Sequence, residues 1–208
     1  IDVASFRRRY AKCQAQERRL CSHSDESDFH RHLPPHCMPN VIVSPYSPEW
    51  PDRFRDVRDA LLRAFAPLAV AIEHIGSTSV PGLAAKPVID VLLGADSLTD
   101  VESRIEALSG LGYAYVPKYE RELPMRRYFV KSSAGALRIH LHAVERGSRL
   151  WQEHLAFRDA LRADAGLRSE YQSLKLDLAE RFAGDKSAYT DAKGPFIRAV
   201  LAVVAARE

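Results

Sequence analysis

An aspartate inside an aliphatic strand, with a glycine-serine turn shortly before it, is the arrangement in this chain best suited to chemistry. Asp90 interrupts the run Val88-Ile89-Asp90-Val91-Leu92-Leu93, and Gly76-Ser77 ends a β-type run containing Ile72, His74 and Ile75. Glycine permits a tight turn and lets backbone N–H groups approach an anion, so Gly76 and Ser77, continued by Thr78 and Ser79, read as a phosphate cradle. A carboxylate among aliphatic neighbours is costly to bury unless it meets a cation, a metal or hydrogen-bond donors. Asp90 is therefore expected to face one of these, although backbone N–H groups alone would also satisfy it.

A second strand carries three nitrogen-bearing side chains. Leu137, Ile139 and Leu141 alternate with Arg138, His140 and His142. Period-2 geometry puts the polar set on one face at steps of roughly 7 Å. One face is core and the other is a site or solvent; on an edge strand, solvation would be the ordinary outcome.

Around these strands the periodicities predict alternating elements. Residues 41–43 form a short strand candidate, and Ser47-Pro48-Glu49-Trp50 signals the start of a helix reaching about residue 66, with Phe54, Val57, Leu61, Leu62 and Phe65 as its core stripe. Strands at 70–75 and 88–93 are followed by an amphipathic helix over 98–111, facing inward through Val101, Ile105 and Leu108. A strand at 113–116 ends at Pro117. Strands at 127–132 and 137–143 read as a hairpin through Ser133-Ala134-Gly135. Helices follow over 148–163, 167–182 and 186–206.

Composition bounds the class. The chain has 208 residues, 46% hydrophobic and 27% charged, which suits one soluble globular domain with a tail. A net charge of +3 gives no reason to expect a nucleic-acid partner. No run approaches the eighteen or so apolar residues of a membrane helix, and the start lacks an apolar signal core, so a cytoplasmic location is the default expectation. Cys13, Cys21 and Cys37 all lie in the first 37 residues with His23, His30, His32 and His36, but without a Cys-x-x-Cys pair, and a zinc site is not expected there. Residues 1–37 read as a polar disordered extension, and Met38 reads as the native start.

The segment HIGSTSVPGLAAKPVID resembles the hallmark of the GrpB (UPF0157-type) family, and Gly76-Ser77 with Asp90 resembles the nucleotidyltransferase superfamily signature. The resemblance runs from about residue 40 to 205 through Val43-Ser44-Pro45-Tyr46, Arg127-Tyr128-Phe129, His140-Leu141-His142, Phe157-Arg158-Asp159, Tyr171, Lys175, Tyr189 and Lys193-Gly194-Pro195-Phe196. It implies an α/β (α+β) nucleotidyltransferase-like fold, a small mixed sheet flanked by helices with a helical C-terminal part. It also places the 137–143 strand where active nucleotidyltransferases carry their third acid, which brings His140 and His142 towards Asp90.

Two functions follow from the resemblance. In one, the protein is a divergent nucleotidyltransferase in which Asp90, His140 and His142 are catalytic, with Asp90 and His142 holding a divalent metal (magnesium, manganese or zinc). Gly76, Ser77, Thr78, Ser79, Lys86, Arg127 and Lys193 would then bind the phosphates of a nucleotide or phosphorylated small molecule. Lys86 precedes the Asp90 strand; Arg127, two before Phe129, is the arginine expected to point inward; the Tyr171/Lys175 and Tyr189/Lys193 spacings of four share helix faces, packing with snorkelling lysines or closing over the ligand. The superfamily pattern, however, has a second acid where this chain has Leu92, and imidazole favours zinc, manganese or metal-free base catalysis over magnesium. In the other, the domain is an inactive interaction or folding module, linked by association to coenzyme A metabolism through similar domains fused to dephospho-CoA kinase. The chain itself has no P-loop motif.

Overall fold

The computed structural model describes residues 41–132 and 137–206. The expected extension over 1–37 and the hairpin turn Ser133-Ala134-Gly135 lie outside the described residues. Two compact units are resolved within them, residues 44–162 and residues 41–43 with 163–206.

The first unit is built on a five-stranded mixed sheet. In chain order its elements are α1 (Trp50–Phe65), β1 (Ala71–Ile75), a 3₁₀ turn (Ser77–Ser79), β2 (Val88–Ala95), α2 (Leu98–Glu102) and α3 (Ile105–Gly110). After these come β3 (Ala114–Tyr115), a second 3₁₀ turn (Pro117–Tyr119), β4 (Arg126–Lys131), β5 (Arg138–Glu145) and α4 (Arg149–Ala163). The strand order is β1-β2-β5-β4-β3. β2 and β5 run parallel, with Asp90 paired to His140 and Leu92 to His142; the other neighbours are antiparallel.

Alternation decides what each sheet face does. Ile89, Val91, Leu93 and Ala95 of β2, Ile139, Leu141 and Ala143 of β5 and Phe129 of β4 form the main core with Leu61 and Phe65 of α1, Val101 of α2 and Leu108 of α3. On the opposite face Leu92 and Val144 pack with Ile75 and with Trp151 of α4, and Asp90, His140 and His142 form a polar group beside them. The two groups adjoin, since Ile75 pairs with Asp90 and Leu92 pairs with His142.

Four sequence expectations change. β5 is an interior strand between β2 and β4, so its polar face is not an open edge. Residues 41–43 make no strand; the nearest pairing is an isolated bridge between Ser44 and Ala85, with N–H···O distances of 2.8 and 2.9 Å. The helix expected over 98–111 is two short ones, because Arg104 leaves helical geometry at φ −108°, ψ 5° and the Ser103 hydroxyl donates back to the carbonyl of Asp100 at 2.7 Å. The last expected helix likewise divides into α6 (Lys186–Asp191) and α7 (Gly194–Ala205), the second entered through Pro195 in its first turn.

The helical unit contains α5 (Ala165–Arg181), α6 and α7. Asp164 caps α5 by accepting from the Leu167 N–H at 2.9 Å, and Asp185 caps α6 by accepting from Ser187 and Ala188. Val41, Leu178 and Tyr189 form its cluster with Leu174 and Phe182. Lys175 does not snorkel: it is buried, its Nζ lies 5.0 Å from the Tyr171 ring, and burial together with the neighbouring Lys193 lowers its pKa to about 7. Among the described residues no helix is long and apolar enough to cross a membrane.

Candidate functional site

Gly76 and Asp90 determine each other's position. Ile75 pairs with Asp90 across β1 and β2, and the next residue, Gly76, turns at φ 69°, ψ −175°, a region essentially confined to glycine. A Cβ at position 76 would lie 2.3 Å from Asp90 Oδ2. The carboxylate therefore rests against bare backbone on one side, and its other oxygen, Oδ1, faces the histidines of β5.

His140 Nδ1 lies 3.3 Å from that oxygen and His142 Nε2 lies 4.0 Å from it. One ligand atom from each of the three residues falls within 4.8 Å of the others. A tetrahedral ion with bonds of about 2.0–2.1 Å holds its ligand atoms roughly 3.3 Å apart, so small side-chain rotations would close this group around one cation. The donor set, two imidazoles and one carboxylate, matches zinc, manganese or iron better than magnesium. The two-magnesium arrangement associated with nucleotidyl transfer does not fit. At the second-acid position Leu92 is fully buried with Ile75, Val144 and Trp151.

The walls of the site come from β4 and α4. Tyr128 pairs with His142, and its ring stands 5.1 Å from His142, 5.7 Å from His140 and 5.8 Å from Tyr119. Arg126, on the same face, places Nη1 3.3 Å from His142 Nδ1 and its guanidinium 5.0 Å from the Tyr128 ring. His154 of α4 brings its ring to 5.7 Å from His142. Desolvation dominates the electrostatics: it depresses His142 to about 3 against the opposing pull of Asp90, and depresses His154 as well. Tyr128 is pushed up to about 12 by burial first and by Asp90 second. Both histidines are thus neutral at pH 7, the form that can ligate a metal.

Arg126, and not Arg127, is the arginine beside the histidines. Arg127 projects from the other face of β4, where it pairs with Glu102 at 2.7 Å and donates to the Pro124 carbonyl at 2.9 Å. The Gly76 loop likewise differs from a cradle of free hydroxyls. Thr78 is buried, donating its hydroxyl to the Val88 carbonyl at 2.9 Å and accepting from His74 Nε2 at 3.1 Å; Ser79 donates to the Gly76 carbonyl at 2.6 Å. Their side chains hold the loop, and Ser77 is the half-buried hydroxyl left in the turn. Arg162 of α4 adds two bonds to the Ser79 carbonyl, at 2.8 and 3.1 Å. Lys86 lies in the segment entering β2. Lys193 belongs to the helical unit, its Nζ 4.5 Å over the Tyr189 ring.

Sequence reasoning chose Arg127 over its neighbour Arg126 and missed His154. His154 had a legible signal: it sits three residues after Trp151, so both occupy one face of α4. Arg126 had none, because the parity of β4 against β5 depends on a register that the loop between them leaves open.

His74, on the core side of β1, stacks on Phe54 at 4.6 Å and is depressed by burial to about 4. Depressed histidines give stability that is complete above their unfolded pKa near 6.5 and is lost as pH falls towards the folded values. Denaturant unfolding at pH 7.5 and 4.5 is expected to show this loss, about 1.4 kcal/mol per pH unit for each of His74 and His142. Equal stability at the two pH values would contradict the burial argument.

Comparison with known proteins identifies relatives of this chain. The family model described as GrpB protein matches residues 40–202. The UPF0157 protein YqkA of Bacillus subtilis is 36% identical over 167 residues, 80% of this chain and 47% of its own length, so the chain spans about half of that relative. The glutamate-rich protein GrpB of Alkalihalophilus pseudofirmus is 34% identical over 77% of this chain and 94% of its own. A dephospho-CoA kinase of Mycolicibacterium paratuberculosis matches 76% of this chain at 30% identity, across 44% of the kinase. Among solved structures, a conserved GrpB protein from Enterococcus faecalis superposes with a TM-score of 0.71 at 32% identity, covering 78% of this chain and 96% of that one. The Cid1 poly(U) polymerase gives a TM-score of 0.50 at 15% identity over 72% of this chain and 49% of the polymerase, a likeness of fold.

Proposed function

The chain belongs to the GrpB protein family, whose fold is nucleotidyltransferase-like, and on that basis we propose that it binds a nucleotide or other phosphorylated small molecule through one divalent cation held by Asp90, His140 and His142. The observation that carries this reading is the convergence of one carboxylate and two imidazoles within 4.8 Å, directly beside the Gly76 turn. The cation would act as a Lewis acid towards phosphate oxygen. The protein's part is to hold Asp90 Oδ1 near both rings, to keep His142 neutral by burial, and to line the site with Tyr128, whose ring meets Tyr119 edge to face.

Ligand binding is favoured over two-metal nucleotidyl transfer because, among the described residues, Asp90 is the one carboxylate grouped with the two histidines, and Leu92 is sealed in an apolar cluster. The similarity to a dephospho-CoA kinase makes coenzyme A precursors sensible compounds to screen beside nucleotides.

A thermal-shift series on the full chain tests the reading. A cation at one hundred times its dissociation constant adds about 2.7 kcal/mol, which is roughly 5–10 °C for a chain of this size. Zinc or manganese is expected to give that shift, magnesium to give less, and Asp90→Ala or His142→Ala to abolish it. A wild-type melting temperature indifferent to every divalent cation would remove the proposal.

A further inference from the structure

Arg126 has an unusual environment for a charged residue. Its Nε is buried without a hydrogen-bond partner, and among the described residues no carboxylate forms an ion pair with its guanidinium. Its polar contact is the 3.3 Å bond from Nη1 to His142 Nδ1, and Tyr128 lies beneath it. A partly buried cation lacking a counter-charge is a favourable receptor for an anion, and guanidinium binds phosphate or carboxylate with two parallel N–H donors.

The bond to His142 has a second consequence. Guanidinium has donors only, so Nδ1 of His142 must accept with its lone pair, and in the neutral ring the proton then resides on Nε2. Yet Nε2 is the nitrogen facing Asp90 Oδ1. A cation bound at Nε2 needs that lone pair, which moves the ring proton to Nδ1, where it points at the Arg126 N–H. One neutral imidazole cannot accept from Arg126 and ligate a cation at Nε2 together.

We propose that Arg126 is the anion-binding residue of this site and that its bond to His142 couples the two ligands. A cation on Nε2 expels the guanidinium from His142 and releases it to take an oxoanion, and an oxoanion that draws Arg126 away frees the ring for the cation. This rests on the metal reading above and extends it: the natural ligand carries a phosphate or similar oxoanion that sits on Arg126, next to the cation. Coupling of this kind is reciprocal, so each ligand tightens the other by the same factor.

The test is calorimetric titration of the chelator-treated full chain with manganese, with and without sulfate, a tetrahedral dianion that holds free metal only weakly. Wild type is expected to bind manganese about tenfold more tightly with sulfate, equivalent to about 1.4 kcal/mol. Arg126→Met is expected to bind manganese several-fold more tightly than wild type without sulfate, and to ignore sulfate. Wild-type affinity unchanged by sulfate, or a variant as sulfate-sensitive as wild type, overturns the role of Arg126 while leaving the metal site standing. Absence of manganese binding to wild type overturns both. Nitrogen-15 spectra of the wild-type histidine rings keep the question decidable if the variant does not fold. His142 should carry its proton on Nε2 without metal and on Nδ1 with it, and a metal-free ring protonated on Nδ1 refutes the coupling.

Discussion

Gly76→Ala is expected to destabilise the protein by about 4 kcal/mol, lowering its melting temperature by roughly 10 °C, and to abolish cation binding. Two costs combine. The backbone at φ 69°, ψ −175° lies where residues with a Cβ are strained, and the added methyl would stand 2.3 Å from Asp90 Oδ2 and 2.9 Å from its Cγ. The carboxylate cannot withdraw without leaving His140 and His142, so relief of the clash dismantles the site. Gly82→Ala separates the two costs. Gly82 also has positive φ, at 77°, but its Cβ would meet nothing within 4 Å, so only the backbone strain of about 1–2 kcal/mol applies and cation binding survives. Calorimetric melting of both variants, each titrated with manganese, makes the comparison; equal losses would show that contact with Asp90 contributes nothing.

Leu92→Asp supplies by sequence the second carboxylate of the nucleotidyltransferase pattern, and is expected to yield an unstable protein with no gain in nucleotidyl transfer. Leu92 is fully buried with Ile75, Val144 and Trp151. Removing the leucyl side chain alone, as in Leu92→Ala, costs about 2–5 kcal/mol. Aspartate adds an unpaired carboxyl in an apolar cluster, so the total is expected to exceed the alanine loss by about 1–3 kcal/mol. Burial raises the pKa of such a carboxyl, so the variant's deficit against wild type should widen as pH rises from 4 to 7. Urea unfolding of wild type, Leu92→Ala and Leu92→Asp at both pH values reads this directly. A stable Leu92→Asp protein that turns over nucleoside triphosphate with magnesium would show that the second position is accessible and that only the acid was missing.

Much of the candidate site is legible in the sequence. Asp90 was conspicuous as one acid in an aliphatic strand, and the alternation of Leu137, Ile139 and Leu141 with His140 and His142 put both imidazoles on one face. Burial bears out that alternation, with Ile139 and Leu141 in the core. Resemblance supplied what alternation could not, namely that the strand of His140 lies beside the strand of Asp90, now seen as a parallel pairing in direct register. The roles of Thr78 and Ser79 were not legible. Their types suit phosphate binding, but whether a hydroxyl is free depends on acceptors such as the Val88 and Gly76 carbonyls that the fold brings to it.

Periodicity along the chain establishes which residues share a strand face, where glycine must turn and where an acid is out of place. These are short-range properties, set by backbone sterics and by the separation of apolar from polar side chains within a few residues. Tertiary structure decided the rest: that β5 is interior, that Leu92 is sealed, that His154 reaches the site from α4, and that Arg126 rather than Arg127 stands beside His142. The physical reason is that a shift of one residue in strand pairing exchanges every side chain between faces while leaving local preferences untouched. That choice is made by the packing of the whole sheet, where Phe129 in the core commits Arg127 to its own face and turns Arg126 and Tyr128 towards the histidines.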